Sequence, residues 1–216
     1  MKFLVFDTET TGLPKRYNAS PEETYLFPYI VQLSWLVYDT GNNKLESIND
    51  KIIKLPTNIQ IPQRATEIHG ITQEQMLTDG ESITEVLDTF LRDVSLCTYI
   101  VAHNINFDKK MVEVECIRNK LKKRLSSYRK LEYCTMHRGK DICKLAKINH
   151  NAHKEGYKLP KLIELHKRLF NDTPENLHNS LIDVLVCFRC FYALVYNVDV
   201  TAVNSEFKTY YENLCK

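Results

Sequence analysis

Apolar positions along this chain fall in short blocks whose period changes, and each change marks an element. Residues 2–6 (Lys-Phe-Leu-Val-Phe) are almost continuously apolar and end at Asp7, the pattern of a strand buried in the middle of a sheet. Two further β-rich runs, Tyr29 to Tyr38 and Lys44 to Leu55, flank Asp39-Thr40-Gly41-Asn42-Asn43, whose turn composition predicts a hairpin. Ser82 can cap a helix with Glu85 at the capping-box position, and Ile83, Val86, Leu87, Phe90, Leu91 and Val94 follow at helical spacing. Tyr99 to Ala102 resumes a strand. A helix then opens near Asn106 and runs through Met111, Val112, Val114 and Ile117 into a basic segment ending near Arg124. Further helices are predicted over Lys140 to Ile148, Leu159 to Phe170 and Asn179 to Asn197, with a weaker one near the C-terminus.

The order β-β-β-α-β-α joins an antiparallel start to a parallel pair, with helices covering the sheet. The expected fold class is therefore α/β: a ribonuclease-H-like mixed five-stranded sheet flanked by helices. With 216 residues the chain suits one domain, read as 1–200, with 201–216 a helical tail packed on it or extending from it.

Composition narrows the function. At 44% hydrophobic and 26% charged the chain is an ordinary globular protein, and a net charge of +2 leaves contact with phosphate to local clusters or bound metal. The acidic start MKFLVFDTET does not fit a signal peptide. The long apolar run Leu181 to Val198 contains Asp183 and Arg189, which are costly in lipid, so it reads as a buried helix and no membrane contact is expected. Seven cysteines without regular spacing indicate free thiols in a reducing compartment, cytoplasm or nucleus. Cys187 and Cys190 lie in an apolar run with no second ligand pair, and read as small buried hydrophobes rather than zinc ligands.

Candidate chemistry lies in four acids and one histidine. Asp7 and Glu9 alternate at a strand end, so both carboxylates share one face and want a cation; alone, such a pair is more often a solvated strand end. Asp108 follows the strand Tyr99 to Ala102 near a helix start, where a helix-cap role is the competing explanation. His178 precedes Asp183 by five residues, about 7.5 Å along a helix axis, so the two meet only if His178 sits at or before the helix start. Asp183 interrupts an apolar helix face. A bound cation explains a carboxylate there, and an ion pair with Arg189 is the alternative.

Taken together, FDTETTGL, AHNINFD and HNSLIDV, in this order, resemble the three motifs of the DEDDh (DnaQ-like) 3′–5′ exonuclease family, whose familiar member is the proofreading epsilon subunit of bacterial DNA polymerase III. The segments YIVQLSWLVYD, IPQRATEIHGIT and KLPKLIELHKRLF fall where that family has its second strand, its His-Gly-Ile segment and the helix before the third motif. The resemblance spans about residues 2–197. Ser180 departs from the family's usual Ala, a mild change that should keep the helix close to the site. Residues 15–27 and 116–158 are long for the family pattern. His178, rather than a Tyr, marks the His subtype.

The resemblance implies metal-dependent hydrolysis of the terminal phosphodiester, releasing nucleoside 5′-monophosphates. It implies two divalent cations, Mg²⁺ or Mn²⁺, held by Asp7, Glu9, Asp108 and Asp183, with His178 as general base. Thr10, Leu13, His69, Asn104 and Phe107 would touch the terminal nucleotide, with core packing the alternative for Leu13 and Phe107. The expected partner is a nucleic-acid 3′ end, single-stranded DNA ahead of RNA, in proofreading or repair, with a polymerase a candidate associate. Arg118, Lys120, Lys122, Lys123, Arg124, Arg129 and Lys130 form the densest basic cluster, either a track for the substrate backbone or a solvated helix tail. Two alternatives stand: an exoribonuclease of the same fold, and a binding module that has lost catalysis. Retention of all four acids and His178 counts against the second.

Overall fold

The computed structural model describes residues 1–146 and 156–215. Its centre is β1 (Lys2–Thr10), which pairs antiparallel with β2 (Ile30–Asp39), itself antiparallel to β3 (Lys44–Ile52). On its other side β1 runs parallel to β4 (Tyr99–Ala102), and β4 to β5 (Leu131–Cys134). The sheet order is β3-β2-β1-β4-β5, the expected mixed five-stranded sheet.

β1 is longer than its apolar run. It continues through the acidic motif because Asp7, Thr8 and Glu9 stay in the ladder opposite Ser34, Leu33 and Gln32. The two acids thus stand on a strand, on the face that carries Phe3 and Val5 further down. Leu4 and Phe6 point the other way, into a core shared with α3 (Ile83–Leu96) and α4 (Ile105–Arg118). There Phe90 meets Phe6 at 5.3 Å and Trp35 edge-on at 5.4 Å. Phe3 and Val5 pack under α7 (Ser180–Tyr196), where Phe3 and Phe191 lie 4.9 Å apart.

Several boundaries differ from the sequence pattern. Ser82 precedes α3 as expected, but its hydroxyl meets that of Thr84 and caps no amide. α4 stops at Arg118 rather than near Arg124, with Lys120 in left-handed backbone. α5 spans Thr135–Cys143 and ends at a left-handed Lys144, so the predicted Lys140 to Ile148 helix stops early: the Leu145 carbonyl accepts from the Lys158 N–H and Ala146 bridges Tyr157, while 147–148 lie outside the described residues. α6 begins only at Leu162 (Leu162–Phe170), because Pro160 and an extended Lys161 hold the preceding backbone out of the helix. α1 (Gln63–His69), α2 (Gln73–Asp79) and β5 are short elements that the periodicity did not announce.

The chain ends in α8 (Val200–Val203) and α9 (Ser205–Cys215), which fold back so that Phe207 meets Phe188 of α7 at 5.0 Å. Arg189 of α7 anchors this corner. It donates to Asp199 (Nη2, 2.7 Å), faces His166 and lies over the rings of Phe170 and Tyr211. Arg189 is therefore not the partner of Asp183. No helix among the described residues is long and apolar enough to cross a membrane.

Candidate active site

The C-terminal parts of β1 and β4 meet the N-termini of α4 and α7, so acids far apart in sequence share one cleft. Asp7, Glu9, Asp108 and Asp183 line a cavity of about 670 Å³ together with His178. Alternation along β1 puts Asp7 and Glu9 on one face and leaves Thr8 on the other. Thr8 donates both its backbone N–H (3.1 Å) and its hydroxyl (2.8 Å) to Asp108 Oδ1. Asp108 is thus tied to the strand and not spent on capping its own helix.

α7 is fixed by its first residues. Asn179 Oδ1 caps the helix by accepting from the N–H groups of Leu181 and Ile182. The Ser180 hydroxyl donates to the Asp7 carbonyl (2.7 Å) and its N–H to Gln32 Oε1 (3.1 Å), while Gln32 Nε2 reaches Asp50. The serine that replaces the family's alanine rivets α7 to β1 and β2. His178 precedes the cap in left-handed backbone (φ 73°), so it stands before the helix, as its five-residue separation from Asp183 requires. Ligand atoms of Glu9, His178 and Asp183 all lie within 4.8 Å of one another.

Burial and mutual repulsion make these acids reluctant to ionise. Burial, then Asp108, Asp183 and Glu9, holds Asp7 well above the usual carboxylate range. Burial, then Asp183 and Asp108, lifts Glu9 to about 8. Asp108 rises to about 7 through burial, opposed by the two Thr8 hydrogen bonds. Asp183 rises to about 7 through burial, opposed by the His178 backbone amide. Asp183 Oδ1 is also buried with no hydrogen-bond partner among the described residues. An orphaned oxygen within a set of hard oxygen donors and one imidazole fits a hard divalent cation.

A second lobe, of about 520 Å³, opens from the same cleft and shares Thr8, Glu9, Leu13 and Phe107 with it. His69 lines this lobe. Its Nδ1 accepts from the Ile71 N–H (3.1 Å), which leaves the proton on Nε2, a buried atom without a partner. Burial lowers the His69 pKa, so the ring is a neutral donor. Leu13 is 70% exposed, which removes core packing as its role. Phe107 is half-buried and joins cleft to core. Thr10 lines the lobe but gives its hydroxyl to the Gly12 carbonyl (2.6 Å), shaping the turn. Asn104 is exposed at the start of α4 and lines the acidic lobe.

The basic cluster is not one surface. Arg118 is half-buried, pairs with the buried Glu115, stacks on Tyr29 at 3.9 Å and donates to the carbonyls of Thr24, Phe27 and Pro28, which orders the long 15–27 segment. Lys130 donates to the carbonyls of Ser95 and Cys97, and Arg124 faces Glu22. The residues after Arg118 follow the far end of α4, about 20 Å from its active-site end over fourteen residues.

The sequence reading passed over Thr8, Tyr17, His103, Met136 and Lys161, all of which line the cleft. Thr8 and His103 lie inside the quoted motifs, so proximity to the acids was the available signal. Tyr17 and Met136 come from the two long segments without a motif, and Lys161 from KLPKLIELHKRLF, which was quoted only for its helix.

The chain matches the Exonuclease family (RNase_T) over residues 4–191 and belongs to it, in the DEDDh group its motifs point to. No curated protein sequence matches it. Among solved structures it is similar to E. coli exonuclease I bound to a dT13 oligonucleotide (TM-score 0.66, 17% identity, 94% of this chain and 42% of that one). The zinc-bound form of the E. coli ExoI–ssDNA complex gives a TM-score of 0.65 at 16% identity, covering 97% of this chain and 42% of that one. The nuclease domain of 3′hExo, a DEDDh family member bound to rAMP, gives 0.64 at 17% identity, covering 92% of this chain and 94% of that one. At these identities the likeness establishes the fold, and the chain spans less than half of exonuclease I.

Proposed function

We propose that this protein is a metal-dependent 3′–5′ exonuclease that hydrolyses the terminal phosphodiester of single-stranded DNA and releases nucleoside 5′-monophosphates. The carrying observation is the convergence of four carboxylates on one cleft without a counter-charge. Among the described residues no Lys or Arg pairs with any of them, and Asp183 Oδ1 is left with no partner. A structural domain gains nothing from such a cluster.

Asp7, Glu9, Asp108 and Asp183 would hold two divalent cations, Mg²⁺ or Mn²⁺. When bound, such cations lower the pKa of water and neutralise charge on the phosphate oxygens. His178, exposed beside Glu9 and Asp183, accepts the proton of the attacking water. The water oxygen bonds to phosphorus, the bond to the 3′ oxygen of the penultimate nucleotide breaks, and the terminal nucleotide leaves with its 5′-phosphate. The lobe beside the acids receives the terminal nucleoside: Leu13 and Phe107 present apolar surface to the base, and His69 Nε2–H and Asn104 supply polar contacts. Stacking with so few polar contacts selects a free 3′ end and not a sequence. All seven cysteines are free, which supports a reducing compartment.

One observation favours a second substrate: the chain covers 94% of the 3′hExo nuclease domain, whose structure holds rAMP, so the same hydrolysis on RNA is tested in parallel. Single-stranded DNA and RNA of one sequence, with free or blocked 3′ ends, are digested with Mg²⁺, Mn²⁺ or chelator, beside Asp7→Ala. Mononucleotides should appear from free ends only and vanish with chelator or the variant. Internal cleavage, or activity in chelator, defeats the reading.

A further inference from the structure

We infer that Lys161 is a positioning residue that grips the phosphate on the 5′ side of the scissile one, so that the incoming strand leaves the acidic lobe over α6. The inference rests on the exonuclease reading above. Its starting point is a residue that local stability disfavours. Lys161 occupies the N-cap of α6, where Ser, Thr, Asp or Asn would satisfy free amides, and it makes no side-chain cap hydrogen bond. An ammonium has no lone pair with which to accept one, and it sits at the positive end of the helix dipole. Half of a capping box is nonetheless in place, since Glu164 Oε2 accepts the Lys161 N–H at 2.8 Å. The chain thus carries a cation at the one position of that motif where a hydroxyl or carboxylate would serve the helix.

The position is held firmly and faces the cleft. Lys161 lines the same lobe as the four acids, is exposed, and forms no ion pair among the described residues. It is the only lysine or arginine among the described residues lining that lobe. The backbone just before it is anchored by His103, whose Nε2–H donates to the Pro160 carbonyl (3.0 Å) while Nδ1 faces the Thr135 hydroxyl (3.0 Å). On the other side Lys158 pairs with Glu164, leaving Lys161 free of that carboxylate's ion pair.

The two lobes give the strand a direction. They share Thr8, Glu9, Leu13 and Phe107, with His69 lining one and Lys161 the other. With the terminal nucleoside in the His69 lobe and the scissile phosphate at the acids, the next phosphate falls on the Lys161 side. A polyanion entering an acidic cleft needs a compensating charge there, and a lysine supplies one without reading the base.

The test uses Lys161→Ser, the better helix cap, with Lys161→Arg as the charge-keeping control. The serine variant should melt at the same temperature as wild type or higher. On a single-stranded oligonucleotide its KM should rise roughly ten-fold, the loss expected of one charge-assisted contact, with kcat within about two-fold. The slope of log KM against log salt should fall by about 0.7, one phosphate contact on a single strand. Hydrolysis of the p-nitrophenyl ester of thymidine 5′-monophosphate, which has no upstream phosphate, should be unchanged. Arginine should restore binding. Anisotropy of the oligonucleotide with Ca²⁺ replacing Mg²⁺ reads the same contact without turnover. An unchanged KM, salt slope and anisotropy in the folded serine variant overturns the inference, as does an equal loss on the ester. If wild type releases no mononucleotides, the exonuclease reading fails instead, and the anisotropy arm still judges Lys161.

Discussion

Replacing Glu9 with glutamine should stabilise the metal-free protein while destroying its activity. Glu9 is pushed from 4.5 to about 8 by burial first and by Asp183 and Asp108 next. Its folded pKa therefore lies above the unfolded one. The stability it contributes is fully present below about pH 4.5 and is lost as pH rises through about 8. At pH 7 the folded protein must keep a proton that the unfolded chain releases. At about 1.4 kcal/mol per pH unit the gap from 4.5 to 7 costs about 3.5 kcal/mol as a ceiling. Partial exposure of Glu9 screens this to about 2 kcal/mol. Glutamine has the shape of the protonated acid and carries no such penalty. Urea unfolding in EDTA from pH 4.5 to 8 is the assay. Wild type and Glu9→Gln should coincide near pH 4.5 and separate by about 2 kcal/mol at pH 7, the variant being the more stable. Millimolar Mn²⁺ should reverse the order, because a cation at 100 times its Kd stabilises wild type by about 2.7 kcal/mol. A variant no more stable than wild type at pH 7 in EDTA would contradict this, since neither burial nor the neighbouring acids would then be holding a proton on Glu9.

Three further outcomes follow from the same geometry. His178→Ala should lower kcat by about 10²- to 10⁴-fold with little change in melting temperature, because the side chain is exposed; an undiminished rate removes it as the base. Thr8→Val deletes a hydrogen bond that favours ionised Asp108, so the acid limb of the pH–rate profile should move to higher pH, and an unmoved limb would contradict that tie. Arg189→Leu leaves Asp199 unpaired and the His166 corner open, which should cost about 3 kcal/mol and speed proteolysis in α9; unchanged stability would show that the tail is held otherwise.

What the chain announced in advance was the part whose logic is local. Asp7 and Glu9 could be placed on one face from the period of a strand, and the distance from His178 to Asp183 already demanded a histidine ahead of the helix, which the left-handed backbone supplies. Less legible were features decided by tertiary contact. β1 outlasts its apolar run because Ser34 and Gln32 lie opposite the acids, and α1 and α2, seven residues each, are too short for periodicity to reveal. The run from Arg118 to Lys130 shows why charge density along a sequence misleads: Arg118 and Lys130 are turned onto backbone carbonyls, which tertiary contact alone decides. Thr8 was hidden in plain view, a threonine between two acids whose use depends on a residue one hundred positions away.

The central claim is that four separated acids share divalent cations, and a Mn²⁺ titration by calorimetry in buffers of different ionisation enthalpy tests it most directly. At pH 7 two cations should bind per chain with protons released on binding, because burial pushes Glu9, Asp108 and Asp183 up to about 8, 7 and 7, and Asp183→Asn should lose binding. Absence of Mn²⁺ uptake, or uptake indifferent to both buffer and Asp183→Asn, would contradict it.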